Sequence, residues 1–284
     1  MVDKTMTDKV DMDIADSKAV PNILNPPSKV IGNALSDLLN IAFGYLLHEK
    51  SEEKRLKSQK HIEELSKKLN ENVSSIPEEH RIPPKKSIVG PALEATKYYF
   101  EEDEIREMFE NLITNSMDNR QSAKVHPSFT EIIKQMSPLD AQNLKLFEHK
   151  AQLPIVQFKA KSRDDINKYI LVATNVFISN TDCQDIDLQA VSISSLCRIG
   201  LLEIRYGEYL TDNSIYEPFL SLPIYNDTKN QLDLLNIASD KFPEITNKEK
   251  YYLHYEKGVV QLTPLGNTFI SVCLNPLPNK KPNP

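Results

Sequence analysis

Apolar residues recur at steps of three and four positions along residues 29–48, which is the spacing of one face of an α-helix. The opposite face is polar and carries Asp37 near the centre of the segment, which argues against a membrane span. We therefore predict an amphipathic helix that packs in a helical bundle, and we keep insertion into a membrane interface as an alternative. The face in question consists of Ile31, Leu35, Leu38, Ala42 and Tyr45.

Beyond residue 49 the chain becomes a dense mixture of acidic and basic residues with only a thin apolar seam. Neither glycine nor proline interrupts residues 45–76, so the pattern predicts a helix that continues past residue 70 as an exposed, coiled-coil-like arm. Ile76-Pro77 ends this helix, and a segment with three prolines predicts an extended connector.

The helical pattern resumes over residues 88–137. A cluster of acidic residues at 101–104 is typical of a helix start, so we predict two helices with a break near Phe100. Pro127 opens a further short helix. Together these elements predict a flexible leader over residues 1–28 and a helical domain over residues 29–137.

The pattern changes at Ser137-Pro138, where another helix begins. The apolar run 153–160 predicts a strand, whereas the run 169–178 fits a strand or a helix. A helix ending at Gly200 leads into a strand, a turn at Lys257-Gly258 separates two more strands, and a last helix starts at Thr263-Pro264. This order predicts a winged-helix-like α+β domain over residues 138–275 with an insertion at 208–248, followed by a disordered tail over residues 276–284. The fold class is therefore mainly α with an α+β part.

Charge and motifs exclude several function classes. The chain has 34 basic and 40 acidic residues, a net charge of -6, and the predicted recognition helix of the winged-helix part carries a single arginine, Arg198. We therefore do not expect a nucleic-acid partner. The seven glycines never take the spacing of a nucleotide-phosphate loop, and no metal-binding or nucleophile motif occurs. We expect no cofactor, no metal and no catalytic residues.

The three cysteines lie too far apart for a redox or metal pair, and the first 20 residues lack the apolar core of a signal peptide. These observations favour a cytoplasmic protein with reduced thiols; association with a membrane on activation is an alternative.

The loop Asp118–Ser128 concentrates polar residues between two strongly apolar helices. We predict a binding surface here, because loops between rigid helices often carry function and because the helix start at Pro127 would point free backbone N–H groups at the loop. The alternative is a plain connector in which the first and last residues act as caps. The candidate residues are Asp118, Arg120, Lys124, His126 and Ser128.

Two segments carry a family resemblance. Residues 88–147 contain REMFENLITNSMD and VHPSFTEIIKQMSPLD in order, and residues 262–274 read LTPLGNTFISVCL. These segments resemble the central signature and the ending of the abortive-infection alpha family, long catalogued as a domain of unknown function. The resemblance covers roughly residues 28–275. It implies a part in bacterial defence against phage, in which infected cells stop growing or die, and it implies no agreed reaction and no catalytic residues.

We therefore expect a non-enzymatic component of anti-phage defence that acts through protein-protein contacts as a sensor, regulator or effector. One alternative is a membrane-active effector that uses residues 29–48. A winged-helix regulator that binds DNA ranks lowest, on grounds of charge. The expected partner is a host or phage protein, and a homo-oligomer and a membrane surface stay open.

Overall fold

The computed structural model describes residues 29–44, 52–242, 244 and 249–275, with side chains from residue 34 onward. It is mainly helical, with one antiparallel sheet of four strands in the described part. The elements are α1 (Lys29–Phe43), α2 (Glu52–Ser75), α3 (Lys86–Thr96), α4 (Asp103–Ser116), α5 (Ser128–Ile133), α6 (Pro138–Lys145), β1 (Gln152–Ser162), β2 (Tyr169–Val176), α7 (Ile186–Arg198), β3 (Leu202–Tyr206), α8 (Pro223–Lys241), β4 (Tyr251–Leu262) and α9 (Pro264–Phe269). Short helical turns cover Glu78–His80, Asn213–Ser221 and Ile270–Leu274.

The central helix of the helical part is α4, which packs against α2, α3, α5 and α6. Its apolar side chains Met108, Phe109, Leu112 and Ile113 are fully buried. The break predicted near Phe100 is confirmed, because α3 ends and α4 begins on either side of it. The helix with the strong apolar stripe, α4, therefore forms the centre of the helical core.

The described part of the predicted amphipathic face of α1 lies against this core. Leu35 is buried, and Leu38 and Ala42 are partly buried in contact with core residues. The side chains of Ile31 and Tyr45 lie outside the described residues. Within the described residues, no helix has the length and apolar content needed to cross a membrane.

The predicted charged helix is confirmed as α2, but α2 is packed against the core and is not an exposed arm. Its seam residues Ile62, Leu65 and Leu69 are almost completely buried, and the helix packs against α4. A thin apolar seam is enough for this packing, because three side chains at helical spacing bury a continuous stripe while the charged residues stay in water.

The sheet has the strand order β2-β1-β4-β3, and every neighbouring pair is antiparallel. The turn predicted at Lys257-Gly258 is wrong, because β4 runs straight through these residues and pairs with β1 along its whole length. Instead of forming a turn, Gly258 leaves room for the side chain of Tyr206 to approach the β4 backbone closely. A Cβ atom there would stand 2.9 Å from Cδ1 of Tyr206, whose ring occupies that space.

The strands β3 and β4 are neighbours, yet the chain between them contains the turn Asn213–Ser221 and α8. The predicted order was a helix, three strands and a last helix, whereas the structure has α7, β3, β4 and α9, because the two strands predicted around Lys257-Gly258 are the single strand β4. Gly200 has the positive φ of 80° expected after a helix end. The winged-helix assignment itself stays a prediction.

One large hydrophobic core includes side chains from α1 through to the final turn, Ile270–Leu274. A second, smaller cluster, which includes Phe158 and Phe219, lies between the other face of the sheet and the segment that contains α8. The large core draws side chains from both sides of residue 137. The domain boundary at this point stays a prediction.

Candidate functional site

The predicted loop begins with a charged pair in a tight turn. The carboxylate of Asp118 has no exposed surface, and it accepts hydrogen bonds from Nε and Nη2 of Arg120 at 3.0 and 2.6 Å and from the Arg120 backbone N–H at 2.9 Å. Burial opposes ionisation of this carboxyl, but the hydrogen bonds and charge of Arg120 outweigh it and hold the pKa of Asp118 below its ordinary value. The pair is thus a fixed structural contact, with part of the guanidinium at the surface.

The connector before α3 anchors this turn to the helical core. The backbone N–H of Ile82 donates to the Met117 carbonyl and that of Asn119 donates to the His80 carbonyl, each at 2.9 Å. Arg81, between them, donates to the carbonyls of Ile76 and Ser74 at the end of α2. Asp118 therefore lies where three segments meet, and its position depends on all of them.

The other end of the loop does not offer the free N–H groups that the sequence predicted. Pro127 has no N–H, the Ser128 N–H donates to Nδ1 of His126 at 3.1 Å, and the Phe129 N–H donates to the His126 carbonyl at 3.0 Å. The His126 ring also lies within 2.7 Å of the Ser128 hydroxyl. His126 therefore accepts from the first two backbone donors of α5, so the N–H groups of Ser128 and Phe129 are not free to hold an anion.

The five candidate residues do not form one cluster. Asp118 and Arg120 contact each other, as do His126 and Ser128, but within the described residues no hydrogen bond or ion pair joins the two pairs. Lys124 is exposed beside them. The loop presents positive charge to solvent, and its polar groups act mainly as caps and turns.

A polar patch occupies one face of the sheet, where β1 and β4 extend beyond the core. Lys159 pairs with Glu256 at 2.5 Å and lies 4.6 Å from the ring centre of Tyr169. The hydrogen bond from Lys159 lowers the pKa of Glu256, while burial followed by the charge of Lys161 lowers the pKa of His254. This patch therefore holds a lysine-carboxylate pair beside a neutral histidine at pH 7.

Tyr206, on the opposite edge strand β3, is partly buried against the large hydrophobic core. Its hydroxyl accepts from the Asn175 backbone N–H at 2.9 Å and lies 2.8 Å from the Asn175 side-chain oxygen. Burial raises the pKa of Tyr206, so the hydroxyl keeps its proton. Asn175 has a positive φ of 53° and also donates to Ser194 of α7 at 2.8 Å. The end of β2 is thus fixed to both β3 and α7.

Most of the exposed large apolar side chains belong to the sheet part of the chain, between residues 166 and 265. They include Ile170 and Leu171 on the edge strand β2, and Leu188 and Val191 on α7. A second group lies on α8: Leu234, Leu235 and Ile237. Large exposed apolar groups on neighbouring elements are typical of protein-docking surfaces.

Comparison with known proteins places the chain in a family. A family model described as abortive infection alpha matches residues 57–273, which is well over half of the chain. The chain belongs to the abortive infection alpha family. No curated protein and no solved structure matches it.

Several polar residues in the segments that carry the family resemblance have clear structural roles in this abortive infection alpha protein. Ser137 and Asp140 form a reciprocal capping box at the start of α6. Asn111 donates to the carbonyl of Cys273 at 3.0 Å, and Asn115 donates to that of Val272 at 2.7 Å. The two asparagines of α4 thereby satisfy carbonyls at the end of the family's C-terminal segment.

The role of these two asparagines was not predicted from the sequence. Their positions in an apolar helix, four residues apart and on one face, were the available signal, because an amide on a core-facing stripe needs a buried partner. The partner is more than 150 residues away in the chain, so the sequence alone does not identify it.

A second buried amide network holds α7 to α6. Asn143 donates to Gln189 at 2.8 Å and to Ser192 at 2.9 Å, and it accepts from Asn180 at 2.8 Å. The network is satisfied on every side, so it specifies the position of α7 and with it the exposed outer face of that helix.

The described part of this family member offers neither a metal site nor a reactive buried thiol. Among the described residues, no group of three His, Cys, Asp or Glu side chains has a geometry that would hold a metal ion. Burial raises the pKa of the Cys197 thiol to about 11, and it raises that of the fully buried Cys273 as well. These two thiols are therefore protonated at neutral pH and are poor nucleophiles.

Proposed function

We propose that this protein is a non-enzymatic component of bacterial anti-phage defence that senses or regulates through protein-protein contacts. Membership of the abortive infection alpha family supports the defence role. The observation that favours protein contacts is the concentration of exposed apolar side chains on the sheet part of the chain.

The outer face of α7 supports a protein partner over DNA. Leu188 and Val191 are more than half exposed on this face, next to the acidic Asp187, and Arg198 is the only basic residue of the helix. A helix that reads DNA needs basic and amide side chains that reach phosphates and base edges. The surface of α7 instead combines apolar contacts with a polar rim, as protein interfaces do.

The geometry of the loop supports a role without catalysis. A general acid or base must be within reach of a substrate with its proton free to move. Asp118 is fully buried and bound to Arg120, and Nδ1 of His126 is bound at the start of α5. In this proposal the loop holds the helical core together, and its exposed charged groups are the positive ones at its outer side.

The alternative of a membrane-active effector requires the release of α1. Leu35, Leu39 and Phe43 are buried in the core, and burial of each side chain is worth about 1.5–3 kcal/mol. Their release would therefore cost about 5–9 kcal/mol, which is comparable with the whole stability of an ordinary domain. This alternative thus requires a strong trigger.

Two measurements test the non-enzymatic role. Purified protein incubated with nucleotide, nucleic acid or peptide substrates should show no turnover, and turnover that His126→Ala abolishes would contradict the proposal. Secondly, Arg120→Ala combined with His126→Ala should weaken phage protection only together with a fall in melting temperature. A fully stable double variant that no longer protects would show that the loop binds a partner directly.

A further inference from the structure

The polar patch on the sheet belongs to a larger surface that three neighbouring strands form. Over residues 159–161 the pairing of β1 with β2 and with β4 is regular. Side chains of directly opposite residues point to the same face, so two rows of three side chains share this face. We call this surface the platform. Its first row is Tyr169, Lys161 and Tyr252, and its second row is Leu171, Lys159 and His254.

The platform is open to solvent, whereas the opposite face of the same strands is covered. On the opposite face Phe158 is fully buried against the segment that contains α8. On the platform Tyr169 is 50% exposed, Leu171 49% and Tyr252 39%. Tyrosine offers a rigid apolar ring with a polar tip, and such side chains are enriched at protein interfaces.

The two lysines of the platform differ in their charge partners. Lys159 has an internal partner, because Glu256 lies diagonally across on β4 and binds it at 2.5 Å. The equivalent diagonal position for Lys161 is held by His254, and none of the residues opposite or diagonal to Lys161 is acidic. Among the residues that the structure describes, the Lys161 ammonium has no hydrogen bond and no ion pair. The platform thus places one uncompensated positive charge between two tyrosine rings.

We infer that the platform binds a segment of a partner protein in which an acidic side chain lies next to an apolar or aromatic one. The carboxylate accepts a charge-assisted hydrogen bond from Lys161, whose ammonium has no partner within the described chain. The apolar side chain packs on the rings of Tyr169 and Tyr252, which stand on either side of that lysine. The charge and the apolar area of the platform therefore match the two parts of one short motif.

The charge of the platform favours such a segment over a nucleic acid. Glu256 neutralises Lys159 and lies on the same face, and burial lowers the pKa of His254, which is neutral at pH 7. Lys161 alone therefore gives the platform its net positive charge. A nucleic-acid strand carries a phosphate on every nucleotide and needs several cationic contacts. A single carboxylate needs one.

Selection from a displayed library of short random peptides tests the inference on the full chain. The wild type and Lys161→Gln are panned in parallel, because glutamine removes the charge while keeping a polar side chain of similar shape. We expect the wild type, but not the variant, to enrich peptides with an acidic residue next to an aromatic residue or leucine. Selections that give the same peptides on both proteins, or none, would overturn the inference.

Fluorescence anisotropy then compares the most enriched peptide with a single-stranded DNA oligonucleotide of equal length. Lys161→Gln should weaken peptide binding at least about tenfold, because a hydrogen bond between charged groups is lost. Lys161→Arg should keep most of the affinity. The matched control Lys124→Gln makes the same change at an exposed lysine of the candidate loop and should leave binding unchanged. Peptide binding that Lys161→Gln leaves intact, or tighter binding of the oligonucleotide than of the peptide, would contradict the inference.

The inference deepens the proposed function by naming the chemistry of a protein partner, and it rests on that function only for its role in defence. The two fail differently. Enzymatic turnover would refute the proposed function, whereas a platform that selects no acidic peptide would refute the inference.

Discussion

Removal of the Arg120 side chain tests the reasoning about the candidate loop. In Arg120→Ala the carboxylate of Asp118 stays buried and loses its counter-charge, while the backbone N–H of residue 120 still donates to it. Loss of one partner of a fully buried ion pair costs about 3–5 kcal/mol. Arg120 is 30% exposed, so water screens part of the interaction, and we expect a loss of about 2–3 kcal/mol at pH 7.5.

The loss of unfolding free energy in Arg120→Ala should become smaller as the pH falls. In the wild type the pKa of Asp118 lies below its ordinary value, so the pair contributes stability above the unfolded-state pKa and loses it as pH falls through the folded-state pKa. Burial is the largest single effect on this carboxyl, and without the guanidinium only the backbone N–H of residue 120 and the charge of His80 oppose it, so we expect the pKa of Asp118 to rise in the variant. The variant therefore regains stability relative to wild type as pH falls, and the difference between them should shrink by more than half near pH 4.

The assay is urea unfolding followed by far-ultraviolet circular dichroism, since the chain has no tryptophan. Lys124→Ala is the matched control: the side chain is exposed in the same loop, and its loss should change the unfolding free energy by less than about 0.5 kcal/mol. The combination Asp118→Asn with Arg120→Ala should recover most of the loss, because no buried charge remains. A loss in Arg120→Ala that is equal at pH 4 and pH 7.5 would refute the reasoning.

Three further predictions follow from the packing. Gly266→Ala should destabilise the protein by at least about 3 kcal/mol, because its Cβ would stand 2.1 Å from the Leu201 carbonyl oxygen. The control Gly90→Ala has open space around it and should be neutral or stabilising. Thermal melting of both variants compares their stabilities. Ser137→Ala should cost about 1 kcal/mol in urea unfolding, because it removes half of a capping box, and no loss would show that the cap is not needed. The Cys273 thiol should react with a disulfide reagent only after unfolding, and rapid labelling of the folded protein would contradict its complete burial.

The features that were predicted correctly depend on local chemistry. The Ser137-Pro138 start of α6 and the Gly200 end of α7 follow from caps and backbone angles, which neighbouring residues determine. The break near Phe100 likewise follows from local charge and spacing. The family resemblance is confirmed over residues 57–273 because it depends on motif order in the chain.

The errors arose where a residue's role depends on a distant partner. Gly258 was interpreted as a turn, but the ring that requires its missing side chain belongs to Tyr206, 52 positions earlier in the chain. The helix α2 was interpreted as an exposed arm, because the sequence does not show that α4 covers its apolar seam. The helix start at Pro127 was expected to leave backbone N–H groups free, whereas the ring and carbonyl of His126 accept from those of Ser128 and Phe129. Periodicity identifies an apolar face but not what packs against it.

We propose that this protein acts in anti-phage defence through protein contacts made by the sheet part of the chain. The most direct test is the efficiency of plating of phage on bacteria that express each variant at equal level. Val191→Asp places a charge on the outer face of α7, and Ile41→Asp makes the same change at an exposed position on α1. We predict that wild type and Ile41→Asp protect equally and that Val191→Asp, equally stable, loses protection at least about tenfold. Full protection by Val191→Asp, or its loss in Ile41→Asp alone, would contradict the claim.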